Sequence, residues 1–568
     1  MAGQSRKWMI LVATTWIQAF TGTNFDFSSY SSTLKSVLGI SQVQLNYLAM
    51  ASDLGKAFGW CSGLSLMHFP LWVVLLIAAF LGFFGYGLQW LVISKIITLP
   101  YLLVFFLCLM AGCSICWFNT VCYVLCINNF ATNKALALSL TISYNGVSAA
   151  IYTLIASAIN PQNDTLYLLL NASVPLFVSV LALLSILPQP PQRHLSPDAT
   201  HRDSFIFIVL NVLAIITGLY LLLLDSLSSS STACFLLGGA ILLLVLPLGL
   251  PGIVCARNWA RHTIHRSFHY DRSSFNLVDT DDLDLDLVKE LMGSENSNSS
   301  NGNSHGVMEK GGCFACSGRV MEKNRFPMLG EEHSAPALVC RWDFWIYYVV
   351  YFCGGTIGLV YSNNLGQIAQ SLGYSDLSSL VTLYSSCSFF GRLLSAAPDF
   401  LRDKVYFART GWLALAMVPT PIAFFLLVAS GSERALRACT ALIGLSSGFV
   451  FSAAVSITSE LFGPNSAGVN HNILITNIPI GSLLYGLLAA VVYDSNAGST
   501  SLLDTLLGKE MVCMGRECYL KTFIAWGCIS LVGLVSSTVL FLRTRPVYAC
   551  FESSRIGHSP LNQEIPLL

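Results

Sequence analysis

The sequence predicts an all-α polytopic membrane protein. Three observations carry that expectation: an apolar composition, a series of apolar runs of membrane-spanning length, and an internal repeat. Of 568 residues, 54% are hydrophobic and 11% charged, with a mean hydropathy of +0.64; a soluble domain carries about a quarter charged residues. So little polar surface cannot cover a water-soluble globule of this length. The formal net charge is zero, so nothing draws the chain as a whole toward nucleic acid.

A helix that crosses the hydrocarbon core needs about 20 mainly apolar residues. By that measure the chain offers about 14 candidate spans. Six lie at 8–33, 43–66, 71–93, 99–126, 135–159 and 166–187. Two follow at 204–225 and 233–255, and six more at 342–368, 376–396, 408–430, 434–460, 468–493 and 521–543. The first run follows Arg6-Lys7, as a signal peptide would, yet it is too long, contains Asn24 and Asp26, and lacks a small-x-small cleavage site. It reads as a retained first helix.

Between 256 and 341 the composition changes. Basic Arg257, Arg261 and Arg266 give way to Asp279-Thr280-Asp281-Asp282 and then to the string SENSNSSNGNS. Low hydrophobicity with Ser, Asn and Gly predicts a largely disordered tether. The expected organisation is a six-helix bundle at 1–190, an inserted helix pair at 191–255, a cytosolic loop at 256–341, a second six-helix bundle at 342–545, and a cytosolic tail at 546–568. Placing both termini in the cytosol leaves only Lys35, Lys95, Arg434, Arg437, Lys509, Arg516 and Lys521 on the far side, in line with the positive-inside rule. The sequon Asn163-Asp164-Thr165 then faces outward, making Asn163 a candidate glycosylation site.

The repeat has three parts in the same order. Tyr30-Ser31, Leu34 and Leu38-Gly39-Ile40-Ser41 echo Tyr361-Ser362, Leu365 and Leu372-Gly373-Tyr374-Ser375. Gly55-Lys56 echoes Gly391-Arg392. The string from Asn128 to Ala135 echoes Glu460 to Ala467, and that register pairs Asn145 with Asn477. The two sets of six helices therefore read as related bundles with a helix pair inserted between them.

Within the second set, Gly391-Arg392-Leu393-Leu394-Ser395-Ala396-Ala397-Pro398-Asp399 followed by Arg402-Asp403-Lys404 resembles the glycine–basic–aspartate loop signature of the major facilitator superfamily. The first set keeps Gly55-Lys56, Gly59 and Gly63, but its loop Met67-His68-Phe69-Pro70 has no such charge pair. Thr21-Gly22-Thr23-Asn24-Phe25, Tyr30-Ser31, Leu34-Lys35 and Asp53-Leu54-Gly55-Lys56 look like plant nodulin-like members of that superfamily, of the nuclear-fusion-defective type, and the resemblance runs over nearly the whole chain. It implies a secondary transporter that moves a small polar solute by alternating access. An organic anion and proton coupling are expected by analogy with carboxylate-carrying relatives.

That resemblance sets the candidate site residues. A central site lined by the first, fourth and fifth helices of each bundle would engage Asn24, Tyr144, Asn145, Thr476 and Asn477, with Asn145 and Asn477 facing each other. The bland reading is interhelical glue, since such polar contacts contribute about 0.6 to 2 kcal/mol without a ligand. Asp26, a charge within the first span, is the candidate for proton or ion coupling; its alternative is a solvated vestibule. Lys56, Arg392, Asp399 and Asp403 are candidates for gating by switchable ion pairs. Arg392 is expected at the cytosolic edge, away from the central cavity. Gly55, Gly59 and Gly63 strip one helix face of side chains and allow close approach.

Most cysteines sit in apolar runs and serve as small hydrophobes. Cys513 and Cys518, in a polar loop, are expected either as a disulfide or as free thiols. Cys313 and Cys316 have no histidine or second pair at ligand spacing, so no metal or other cofactor is expected. The terminal Glu564-Ile565-Pro566-Leu567-Leu568 approximates an acidic dileucine signal, pointing to the plasma membrane or to vacuolar and endomembrane compartments. No Walker loop, zincin helix or nucleophile elbow occurs, so an enzyme is not expected. The expected partners are the bilayer and a small solute; the oligomeric state is not legible. The rival reading is a non-transporting receptor or scaffold that signals through the cytosolic loop.

Overall fold

A computed structural model describes residues 2–130, 133–160, 163–187, 197–225, 233–250, 253, 328–374, 376–402, 406–497 and 513–557. The chain is all-helical in these segments. Ten helices are long and apolar enough to cross a membrane: Leu71–Ile93, Tyr101–Asn129, Lys134–Ile159, Leu166–Ile186, Asp203–Leu222, Trp342–Ser371, Arg409–Ala429, Glu433–Phe462, Ala467–Asn496 and Glu517–Ser553. The chain is thus a multi-pass integral membrane protein. The remaining candidate stretches are helical but broken, short or polar. Ala2–Thr21 is separated from Phe27–Leu38, and Gln42–Ala57 meets Gly59–His68 at Phe58. Leu377–Leu394 carries five serines and Arg392, and Ala233–Leu248 is short.

Local sequence fixes the helix ends. Ser41 and Gln44 form a reciprocal capping box at the start of Gln42–Ala57, satisfying backbone donors that the first turn leaves open. Asp376 accepts from Ser379 N and Ser432 from Ala435 N at two other starts. Interruptions fall where polar residues crowd: Gly22–Asp26 in the first stretch, Val147 between Lys134–Gly146 and Ser148–Ile159, and a π-helical turn at Phe352–Thr356.

Two helix pairs pack backbone to backbone. A Cβ on Gly55 would strike the Leu109 carbonyl, and one on Gly112 the Ser52 carbonyl. The same contacts recur between Gly391 and Leu445, and between Gly448 and Ser388. The offset is identical at all four positions, so the repeat legible in Gly55-Lys56 and Gly391-Arg392 is structural. Gly391→Ala is expected to cost about 1–3 kcal/mol through overpacking, seen as a lower midpoint of thermal unfolding in detergent. Gly63→Ala should be neutral, because its nearest neighbour is Val469 Cγ2 at 3.8 Å; equal effects in the two variants would refute the overpacking account.

The inserted helices Pro197–Asp225 and Ala233–Val245 are tied to the rest. Lys7 pairs with Asp203, Trp16 Nε1 donates to Leu244 O at 2.7 Å, and Gly218 abuts Phe389. Phe205, Ile208, Val212 and Ile216 on the first of them face outward, as lipid contact requires.

Of the loop expected at 256–341, only residues 328–341 are described; 254–327 lie outside the described residues. Residues 328–341 are ordered because hydrogen bonds hold them: Gly330 N donates to Glu460 O at 2.7 Å and His333 N to Phe462 O at 3.1 Å. Glu332 accepts from Asn465 N (2.8 Å), Ser466 N (3.0 Å) and Ser466 Oγ (2.7 Å), capping Ala467–Leu474. Partial burial raises the Glu332 pKa, but these donors outweigh it and hold the carboxyl below its ordinary value. The docking should therefore be complete above about pH 4.3, the ordinary glutamate value. It should weaken as pH falls through the lowered pKa, and hydrogen exchange at Asn465 and Ser466 would follow it. Exchange there that does not change on acidification would refute this.

Candidate functional site

A central cavity enclosing about 670 Å³ of empty space, part of it open to solvent, lies where the broken helices meet. It is lined by Asn24 and Phe25 from the first break, and by Lys56 from Gln42–Ala57. Ile115, Cys116, Asn119, Thr120 and Tyr123 come from Tyr101–Asn129, and Ile142 and Asn145 from Lys134–Gly146. From the other repeat come Tyr351, Leu359, Arg392, Phe451, His471 and Asn472. Gly22 permits this convergence: a Cβ there would sit 2.5 Å from the Asn145 carbonyl oxygen.

Arg392 is the electrostatic centre of the site. It is 4% exposed, and its Nη1 donates to Ile142 O at 3.1 Å and to Asn145 Oδ1 at 2.9 Å. The guanidinium lies 5.2 Å from the Phe25 ring centroid and 5.4 Å from that of Phe451. Among the described residues no carboxylate pairs with it, and both its Nε and Asn145 Nδ2 are buried without partners. Lys56, the repeat counterpart of Arg392, donates to Asp53 Oδ1 at 2.6 Å. His471, 8% exposed, packs edge-on to Tyr123 at 6.2 Å with Nδ1 unpartnered. The arrangement offers two cations, one of them uncompensated, with amide and hydroxyl donors around them.

Several expected positions are corrected. Arg392 lines the cavity and does not bond Asp399; the Gly391 contact packs its helix backbone against Glu433–Phe462. Asp399 instead pairs with Arg409, 2.7 Å away, which also reaches Glu460 at 3.0 Å. Asn477 does not face Asn145. It accepts from Thr356 Oγ1, in the π turn, at 2.8 Å and donates to Tyr348 O, in the helix before it, at 3.4 Å. Thr476 likewise turns to Tyr348 (3.3 Å) and to Ile473 O (2.7 Å). Tyr144 packs on Phe389, with ring centroids 5.6 Å apart, outside the cavity lining.

Asp26 is neither solvated nor in the cavity. It is fully buried, and Asn171 Nδ2 donates to both of its oxygens, at 3.2 and 3.0 Å. Asn24, Asn145, Lys56 and Arg392 do line the cavity. Asp403, Cys313, Cys316 and the terminal dileucine lie outside the described residues. Cys513 and Cys518 are joined in a disulfide. Asn163 is exposed, its Oδ1 accepting from Thr165. Sequence reasoning missed His471, Tyr123, Asn472 and Phe451. His471 was findable, as an ionisable residue inside the candidate span 468–493.

The nodulin-like family profile matches residues 7–252, and a profile described as the NFD4 C-terminal domain matches 327–550. Protein NUCLEAR FUSION DEFECTIVE 4 of Arabidopsis thaliana is 56% identical over 560 residues, covering 98% of this chain and 92% of that one. The chain belongs to the nodulin-like family. Among solved structures, this nodulin-like protein is similar to a bacterial homologue of the human lysosomal transporter Spinster, inward-facing and unoccupied (TM-score 0.52, 9% identity, 95% and 97% of the two chains). A D-xylose–proton symporter is also similar (TM-score 0.50, 12% identity, 94% and 96%). At such identities the likeness establishes the fold alone.

Proposed function

We propose that this nodulin-like protein is a secondary transporter of a small organic anion, with Arg392 as its principal ligand. The carrying observation is a buried guanidinium that lines the central cavity and has only neutral oxygens as partners. An unpaired buried charge is costly, so such sites are normally compensated. A carboxylate matches the planar fork of arginine with two parallel hydrogen bonds. Asn145 Nδ2 and His471 Nδ1, unpartnered on residues that line the same cavity, suit the remaining polar atoms of such a solute.

Two six-helix bundles with an inserted pair, about 14 spans in all, would rock about the cavity while both termini stay cytosolic. The Asp399–Arg409–Glu460 cluster, not Arg392, then serves as the gate. The site contains nothing that calls for catalysis. The test is uptake of labelled lactate, malate, citrate and phosphate by purified protein in proteoliposomes, with and without a pH gradient. Saturable uptake of an organic acid that disappears in Arg392→Met supports the proposal. Folded protein that moves none of them favours the receptor reading.

A further inference from the structure

Beside the anion site lies a buried ion pair that anion binding does not itself need. Asp53 is 1% exposed and lies one helical turn before Lys56 on Gln42–Ala57. Its Oδ1 accepts from Lys56 Nζ at 2.6 Å, whereas its Oδ2 is buried with no partner. The two ends of the pair face different spaces. Lys56 lines the central cavity with Arg392, while Asp53 lines a second cavity of about 350 Å³ of empty space, and Asn24 borders both.

Polar groups from several neighbouring helices line this second cavity with Asp53. Tyr30 comes from Phe27–Leu38, Tyr86 and Gln89 from Leu71–Ile93, Cys108 from Tyr101–Asn129 and Asn363 from Ile357–Ser371. Tyr86 is bonded to Thr23 at 2.7 Å, Gln89 donates to Gly85 O at 3.1 Å, and Cys108 donates to Gln89 at 3.5 Å. Asp53 is the only carboxylate lining either cavity among the described residues.

We infer that Asp53 is the proton-carrying group of the transporter and that Lys56 is its switch. The inference rests on the organic-anion reading. With the cavity empty, Lys56 compensates Asp53. An anion on Arg392 competes for the same ammonium, and Lys56 turns to it with its three protons retained. Asp53 is then a buried carboxylate without a cation, and such groups neutralise rather than stay charged. A proton from water bonds to Asp53 Oδ2, the oxygen already free, and leaves again when the anion departs and Lys56 returns. One proton then moves with each anion, and no electron is exchanged.

Lys56→Met should mimic the bound anion by removing the cation permanently. Infrared spectroscopy of full-length protein in nanodiscs at neutral pH reads the result as a protonated-carboxyl band. The band is expected in Lys56→Met, absent from wild type, and lost again in Lys56→Met with Asp53→Asn. Adding malate or lactate to wild type should raise the same band, and Arg392→Met should block that response. Variants are compared after eluting as wild type on size exclusion. A Lys56→Met protein with no Asp53-dependent band overturns the inference, whatever the acids do. So does an acid that raises the thermal midpoint of wild type without producing the band. A Lys56→Met band with no wild-type response to any acid removes the premise of anion binding and overturns the coupling by that separate route.

Discussion

Arg392→Met is expected to lower the proposed organic-anion uptake by about 10- to 100-fold, the value of a lost charge-assisted hydrogen bond of roughly 1.5–3 kcal/mol. Arg392→Lys restores only part of it. The charge survives, but a lysine ammonium cannot reproduce the planar fork or span Ile142 O and Asn145 Oδ1 while offering a free edge. Both variants should fold, since the methionine occupies the space between Phe25 and Phe451 with apolar surface and removes a buried unpaired charge. The midpoint of thermal unfolding should therefore hold or rise while uptake falls. A parallel loss of stability and uptake would make Arg392 a structural residue, and full uptake by the methionine variant would remove it from the site.

Arg409→Met has the opposite signature. Arg409 joins Asp399 to Glu460, which also accepts from Tyr548 Oη at 2.8 Å, and its Nη1 donates to Ser395 O at 3.2 Å. Its removal strands two carboxylates facing each other at the end of the C-terminal repeat. Breaking a buried pair in this way costs about 3–5 kcal/mol, less here because the carboxylates are about a fifth to a quarter exposed. Burial already raises the Asp399 pKa against the pull of Arg409, so without the arginine Asp399 protonates more readily and part of the loss is recovered at low pH. Thermal unfolding in detergent at two pH values would show it. A variant as stable as wild type at neutral pH would contradict the account.

The fold was readable because lipid imposes one rule on every span. Runs such as 71–93 and 166–187 coincide with the helices Leu71–Ile93 and Leu166–Ile186, since apolar length is what the hydrocarbon core selects. Reading failed where polar residues interrupt a span. The breaks at Gly22–Asp26 and Phe352–Thr356 change the facing of the helices on either side, so Asn477 meets Thr356 rather than Asn145. The candidate site was partly legible: Lys56 and Arg392 were singled out from the repeat, but their depth depends on glycine contacts between helices distant in sequence. The partner of Asp26 was not legible, because Asn171, whose Nδ2 donates to both of its oxygens, lies far along the chain.

The glycine contacts have a mechanical consequence. Where Gly55 and Gly112 meet the opposing backbone, and Gly391 and Gly448 repeat the arrangement, no side chain remains to be repacked. Each pair is therefore a stiff plate, since close-packed interiors resist deformation. Any change of shape would then fall to the interrupted helices between the plates, at Gly22–Asp26, Val147 and Phe352–Thr356, as joints. Spin labels placed within one plate should keep their separation under any ligand or pH, while labels on opposite plates should not.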